Sequence, residues 1–266
     1  MVATKVLVVG RFSELAEYLA ELDRPDVQLY RAPGAVTDPR SLWNIGGGFD
    51  VVVNCGAYAN LNSVTYGRAY RSEMDRLGGV NGAGAANVAF LARAMGAHLI
   101  HVSSSAVFGW DGPYADTQQA KPIDEQGLTL LAGEIGAKAL GITSTIIRFD
   151  WLYGRKYEGC VPLHAERHGE PRINDHVKVM PTHGKEAATA LLRLIRMGKD
   201  APKVVHVGWR HAPMTWYDFL KPYYPAIEPA DTPRPPSKTR QYRKGLEPSG
   251  EEWTVRSDLS LFRAET

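Results

Sequence analysis

Lys5-Val6-Leu7-Val8-Val9-Gly10, followed two residues later by Ser13-Glu14-Leu15-Ala16-Glu17-Tyr18-Leu19-Ala20-Glu21-Leu22, is the stretch that decides the fold. A β-branched and aliphatic run ends on glycine, and leucines then recur at helical spacing, which predicts a strand, a tight turn and a helix. The alternation continues along the chain. Residues 27–30 read as a second strand and Asp50-Val51-Val52-Val53-Asn54-Cys55 as a third, apolar nearly throughout, as a strand covered on both faces should be. A helix over 84–95 leads to a strand over 98–103, and a helix over 129–140 to a strand over 143–148. Repeated βα units predict a parallel sheet with right-handed crossovers and helices on both faces. The expected class is α/β: a Rossmann-like, doubly wound parallel sheet with a small carboxyl-terminal substrate lobe. The nucleotide-binding core is expected over residues 1–155, returning in part through 184–210, and the lobe over 156–183 and 211–266.

Composition sets broad limits. The 266 residues are 44% hydrophobic and 23% charged, enough apolar chain for a full core. Thirty-one basic and 29 acidic residues, giving a net charge of +2, are well mixed, which argues against nucleic acid as the main partner. Cys55 and Cys160 make no disulfide framework, so a reducing, cytoplasmic compartment is expected. The apolar stretch within residues 1–11 is too short for a signal h-region or a membrane span, and no membrane partner is expected. Residues 226–252 are rich in proline and charge and read as irregular, with a basic cluster over 238–244 that is a solvated face or, alternatively, a phosphate contact. His164, His168, His176 and His183 lack metal-ligand spacing, and no metal is expected.

Several motifs occur in one order: Asp50 to Tyr58, Asn81, His101-Val102-Ser103-Ser104-Ser105-Ala106-Val107-Phe108, Gly112-Pro113-Tyr114, Leu131-Ala132-Gly133-Glu134, Arg148-Phe149-Asp150-Trp151-Leu152-Tyr153-Gly154 and Pro181-Thr182. In that order and rough spacing the chain resembles the dTDP-4-dehydrorhamnose reductase family of the extended short-chain dehydrogenase/reductases. The resemblance implies a general-acid Tyr with a Lys four residues on, and a Ser or Thr holding the substrate oxygen. At the matching positions this chain carries Gln126, Leu130 and Ser104. A carboxamide cannot deliver a proton, and Leu supplies no charge to favour a phenolate. The family's Asp-Tyr pair after that Ser is Ser105-Ala106 here.

The resemblance also implies a dinucleotide site with three loop glycines. Gly10 keeps the first, whereas Ser13 and Ala16 replace the others. Glu14 adds a carboxylate in the first helical turn, where a pyrophosphate would meet N–H groups. Two like charges about 4 Å apart at an effective dielectric of about 20 cost about 4 kcal/mol, which rotation of the side chain into water would largely offset. Arg11 and Arg31 suit a 2′-phosphate, and Tyr58 and Asn81 complete the candidate cofactor set with Gly10 and Ser13. Ser103, Tyr153, Asp175, Thr182 and Arg234 match the family's substrate half, and Ser105 is a further substrate-side candidate; Tyr153 also reads as a packing residue, Asn81 as a partner of backbone groups, and Asp175 and Thr182 as cap or turn residues.

Three functions compete. The first choice is a non-redox acid/base enzyme acting on a small metabolite or sugar by elimination, isomerisation or ring closure, with no cofactor required. Ser104 would position the substrate oxygen, Asp150 would serve as base, and His176 or His183 as acid. The second is a noncatalytic regulatory subunit, for which the family's regulatory partner of methionine adenosyltransferase is a precedent. The third is an NADP(H)-dependent reductase of a keto-sugar that takes its proton from Tyr153, water or substrate. A small-molecule substrate and a homodimer or protein partner are the expected partners.

Overall fold

A computed structural model describes residues 2–10, 13–57, 68–109, 112–154, 172–174, 178–209, 213–222, 225–230 and 246–255. Its amino-terminal half alternates β1 (Thr4–Val9), α1 (Glu14–Glu21), β2 (Val27–Arg31), α2 (Pro39–Trp43) and β3 (Val51–Asn54). Next come α3 (Arg68–Leu77), a π-helical stretch (Gly78–Gly84), α4 (Ala85–Met95), β4 (His98–Ser104), α5 (Glu125–Ala139) and β5 (Ser144–Phe149). The short strands β6 (Leu152–Tyr153), β7 (Arg172–Asn174), β8 (Lys178–Val179) and β9 (Thr182–His183) precede α6 (Gly184–Met197) and β10 (Val204–Trp209). The chain then forms β11 (Met214–Thr215), α7 (Trp216–Leu220), β12 (Glu228–Ala230) and β13 (Thr254–Val255).

Seven parallel strands form the main sheet in the order β13-β10-β5-β4-β3-β1-β2. The order reverses between β1 and β3, which puts the topological switch point of a doubly wound sheet at their carboxyl ends. Alternation within β1 explains the layering. Val6 and Val8 join Leu15, Leu19, Leu191 and Ile195 of α1 and α6 on one face. Leu7 and Val9 join Leu42, Val88, Leu91 and Ala137 of α2, α4 and α5 on the other. Each such side chain contributes about 1.5–3 kcal/mol of burial, so both faces of the strand must stay apolar.

Helix ends follow local chemistry. Asp124 caps α5 by accepting from the Gly127 N–H at 2.7 Å, so the helix begins four residues before the expected start at 129. Gly96, at φ 65°, closes α4 in the left-handed conformation that suits glycine. Of the stretch 226–252 whose composition reads as irregular, residues 231–245, with the basic cluster over 238–244, lie outside the described residues. Leu246 is buried and bridges to Tyr114, Trp253 is buried, and β13 pairs with β10 although it belongs to the expected lobe. Small two-stranded pairings, β8 with β11 and β7 with β12, lie outside the main sheet.

Candidate functional site

The cofactor half is built around Gly10. Its φ of +117° is a conformation that side chains rarely adopt, and a Cβ there would lie 2.7 Å from the Cys55 carbonyl carbon and the Gly56 nitrogen. Glycine is thus required where β1 turns past the end of β3. Ser13 follows as the α1 N-cap in an extended conformation, its N–H donating to Gly10 O at 3.1 Å. Burial pushes the Cys55 thiol up to about 12, with a weaker opposing pull from the Ser13 hydrogen bond, so it is an inert thiol beneath the turn. Arg31 is exposed at the end of β2 in register with Val8 of β1. That is where dinucleotide folds carry a ribose-binding acid or an Arg for a 2′-phosphate. Arg11 and Tyr58 lie outside the described residues.

Glu14 differs from expectation. Instead of rotating into water it is buried, 6% exposed, and its Oε1 lies 2.8 Å from where a Cβ on Gly154 would stand. Tyr18, one turn on, crowds the same glycine at 2.5 Å from its hydroxyl. Only glycine at 154 leaves room for the two side chains of α1 to fold inward.

The reaction half sits at the ends of β4 and β5. Ser104 is partly exposed and its Oγ accepts from the Ala106 N–H at 3.2 Å, which leaves its own hydrogen to donate. A Cβ on Gly127 would lie 2.1 Å from Ala106 O, so the first turn of α5 is pressed onto the 105–107 turn and brings half-buried Gln126 to the same end of the sheet. Leu130, 4% exposed, completes a small apolar cluster with Ala106, Val107, Phe108 and Leu246. Asn81 is buried in the π-helical stretch and its Nδ2 donates to Thr129 Oγ1 at 3.1 Å, while that hydroxyl donates to Gln126 O at 2.9 Å.

Other candidates are placed in the interior. Asp150 is 3% exposed; Oδ1 accepts from Ser105 Oγ in a short hydrogen bond and Oδ2 from the Met180 N–H at 2.6 Å. Both oxygens tie the 105–107 turn to the chain entering β9, which is a fastening role. Ser103 gives its hydroxyl to Glu134 at 2.7 Å, and Tyr153 and Thr182 are fully buried. Tyr153 packs edge-on against His183 and Phe219. Tyr153 and Thr182 lie on β6 and β9, which pair with one another in parallel. His183, expected as an alternative acid, is fully buried and caps α6, its Nδ1 accepting from the Lys185 N–H at 3.1 Å. His176, Asp175 and Arg234 lie outside the described residues.

Beneath Ser104 runs a buried polar network that sequence reading did not assign. Arg148 donates to Glu134 from Nε at 2.7 Å and Nη2 at 2.6 Å, and from Nη1 to His206 at 3.1 Å, with its guanidinium 5.0 Å from the centre of the Phe108 ring. Burial pushes the Glu134 carboxyl up, yet the hydrogen bonds and charge of Arg148, helped by Ser103 and Lys138, outweigh it and hold it below the usual range. Burial, reinforced by Arg148, pushes His206 down to about 4, so it accepts from Arg148 as a neutral ring. His101 is likewise pushed down to about 4, chiefly by burial; Asn54 Nδ2 donates to its Nδ1 at 3.1 Å. The available signal was a lone Arg within an apolar strand, which demands a buried counter-charge.

Comparison with known proteins gives a consistent picture. The model of the family described as RmlD substrate binding domain matches residues 4–246. A dTDP-4-keto-6-deoxy-D-glucose reductase from Streptomyces niveus is 31% identical over 225 residues, covering 80% of this chain and 73% of that protein. Spore coat polysaccharide biosynthesis protein SpsK of Bacillus subtilis is 28% identical over 81% of this chain and 77% of its own length. Among solved structures, dTDP-4-dehydrorhamnose reductase from Bacillus anthracis, in complex with NADP, superposes with a TM-score of 0.74 over 92% of this chain and 89% of that one, at 21% identity, which speaks for the fold.

Proposed function

The chain belongs to the RmlD substrate-binding-domain family of dTDP-4-dehydrorhamnose reductase-like extended short-chain dehydrogenase/reductases, and on that premise we propose an NADP(H)-binding protein that reduces a keto-sugar without a tyrosine acid. The observation that carries this reading is the cradle. Gly10 has a backbone conformation that lets β1 turn close past Cys55 and Gly56, Ser13 stands at the N-cap of α1 where a pyrophosphate would meet N–H groups, and exposed Arg31 at the end of β2 suits a 2′-phosphate. The NADP complex of the Bacillus anthracis relative supports the same cofactor. A cofactor-free acid/base reaction is less well supported, because Asp150 has both oxygens engaged in fastening the fold.

When bound, the dihydronicotinamide supplies a hydride to the carbonyl carbon. The chain's part is to hold and polarise the carbonyl oxygen. Ser104 Oγ–H and the Gln126 carboxamide N–H, gathered at one end of the sheet by the Gly127 contact, donate to that oxygen and stabilise the negative charge it develops. Neither group gives up a proton at neutral pH, so the proton that completes the alcohol comes from water. Tyr153 is too deeply buried to serve. Loss of a positioned acid costs about 10²–10⁴ in rate, so slow turnover is expected.

The deciding experiment titrates cofactor-stripped protein with NADPH, then adds a dTDP-4-keto-6-deoxy sugar and follows dihydronicotinamide oxidation. Micromolar binding with slow, substrate-dependent oxidation is the expected result. Binding with no turnover would favour the noncatalytic, regulatory reading, which the apolar cluster at Leu130 suits. Absence of binding at millimolar NADPH would refute the cofactor reading.

A further inference from the structure

We infer that the outer face of α4 and α5 is the interface of a homodimer, in which a second copy of this chain lies across it in the opposite direction. The inference draws on neither the cofactor nor the reaction proposed above. The two helices pack side by side and run the same way. A Cβ on Gly82, in the π-helical stretch that leads into α4, would stand 3.9 Å from Ala132 Cβ, and one on Gly136 3.5 Å from Ala86 Cβ. At their far ends Arg93 Nη1 donates to Leu140 O at 2.8 Å.

Their inner sides meet the sheet through Val88, Leu91 and Ala137. Their outer sides are apolar as well. Phe90 is 51%, Leu128 57% and Ile135 61% exposed, and alanine holds the other uncharged exposed positions of the two helices. A helix that is apolar all round belongs in an interior, so this face calls for a cover. Trp43 of α2, itself exposed, lies 6.1 Å from the Phe90 ring and continues the patch at its rim. Helices of 11 and 15 residues, about 16 and 22 Å long and about 8–10 Å apart, present on the order of 400 Å² in projection. Accessible surface follows the corrugation of the side chains and is larger, which suits the roughly 600–1,000 Å² that each partner of a stable complex buries.

Charge identifies the occupant. The exposed charges of the two helices stand at opposite ends: Glu125 opens α5, and Arg93 and Lys138 lie in the last turns of α4 and α5. A face that is acidic at one end, apolar in the middle and basic at the other is complementary to itself after a half-turn, as a two-fold interface requires. The half-turn sets Glu125 of each copy against the basic end of the other and opposes the helix dipoles. Leu128 shares the first turns of α5 with Gln126, so the interface braces the turn that carries the half-buried carboxamide.

The test is sedimentation equilibrium of the full chain and of Phe90→Glu, Ile135→Glu, Glu125→Lys and the double variant Glu125→Lys/Arg93→Glu, with thermal unfolding to confirm that each is folded. All four side chains are exposed in the single chain, so folding should be unaffected. The native chain should be a dimer at micromolar concentration. Phe90→Glu and Ile135→Glu, each of which places two carboxylates in the apolar centre, should raise the dissociation constant at least about 100-fold. Glu125→Lys should raise it about tenfold, and adding Arg93→Glu should recover most of that loss. These charges also suit the ends of their own helices, and the double variant removes that benefit twice, so recovery reports contact between copies. A native chain that stays monomeric at about 100 μM, or a dimer indifferent to both central carboxylates, would overturn the inference. A double variant weaker than Glu125→Lys alone would overturn the opposed arrangement.

Discussion

Replacing Arg148 by Met tests whether the buried network under Ser104 is a structural keystone. Arg148 is 4% and Glu134 1% exposed, and two hydrogen bonds of 2.6–2.7 Å join them. The variant fills the volume but leaves Glu134, among the described residues, with the Ser103 hydroxyl and the exposed Lys138 ammonium at 3.9 Å. Breaking one side of a buried pair costs about 3–5 kcal/mol, and Lys138 places the expected loss near the lower end, about 3 kcal/mol. Against a domain stability of about 5–15 kcal/mol, urea unfolding at constant m-value resolves such a change easily. The pH dependence supplies a sign. In the native chain the Glu134 carboxyl is held below its unfolded value, so its contribution is present above the ordinary glutamate range and is lost as pH falls through the lowered value. Without Arg148, burial dominates, the folded value rises above the unfolded one, and acidification relieves the penalty. The stability gap should therefore narrow as pH falls from neutral towards the glutamate range. Adding Glu134→Gln should recover at least about half of the loss. A loss under about 1 kcal/mol at neutral pH, or a double variant no more stable than Arg148→Met, would refute the reasoning.

Gln126→Tyr should raise NADPH-dependent turnover of a dTDP-4-keto-6-deoxy sugar by about 10²-fold or more, read from initial rates; no increase would count against placing the carbonyl at Ser104 and Gln126. Asp150→Asn removes one charged acceptor from the Ser105 and Met180 contacts and should cost about 1–3 kcal/mol by chemical denaturation, with an unchanged pH–rate profile in whatever activity remains. A lost limb in that profile would restore Asp150 as a base. Arg31→Ala should weaken NADPH about tenfold by titration and leave NADH nearly unaffected, whereas equal losses would move Arg31 off the 2′-phosphate.

The sheet was legible because its strands are buried on both faces. Val6 to Val9 and Val51 to Val53 are apolar without a break, and a run of that kind has few alternatives between helical segments. The start of α5 was less legible. Its early turns, Gln126-Gly127-Leu128-Thr129, lack a clean apolar stripe, and the Asp124 cap that begins it is a matter of one hydrogen bond. At the site, Gln126 and Leu130 were readable as residue types, but the surroundings of Leu130 were not. Leu130 meets Phe108 and Leu246 only because the carboxyl-terminal segment returns to the sheet, a contact that no local spacing announces. Glu14 was misjudged for a similar reason: its inward turn depends on the bare backbone of Gly154, far along the chain. Asp150 and Arg148, two residues apart in sequence, bind different partners because β5 ends between them.

The outer edge of β10 is covered late. Val204 to Trp209 pairs on one side with β5, whereas on its other side, among the described residues, Gly208 and Trp209 pair with Thr254 and Val255, and Ser249 exchanges hydrogen bonds with the His206 backbone. During synthesis at about 5–20 residues per second, the main sheet can be nearly complete for several seconds while that apolar strand still presents unpaired N–H and C=O groups. Exposed edges of this kind are templates for pairing with another chain. Yield on expression should therefore depend on the carboxyl-terminal segment arriving promptly, and a ribosome stalled after β10 would hold a nearly finished fold in its most association-prone form.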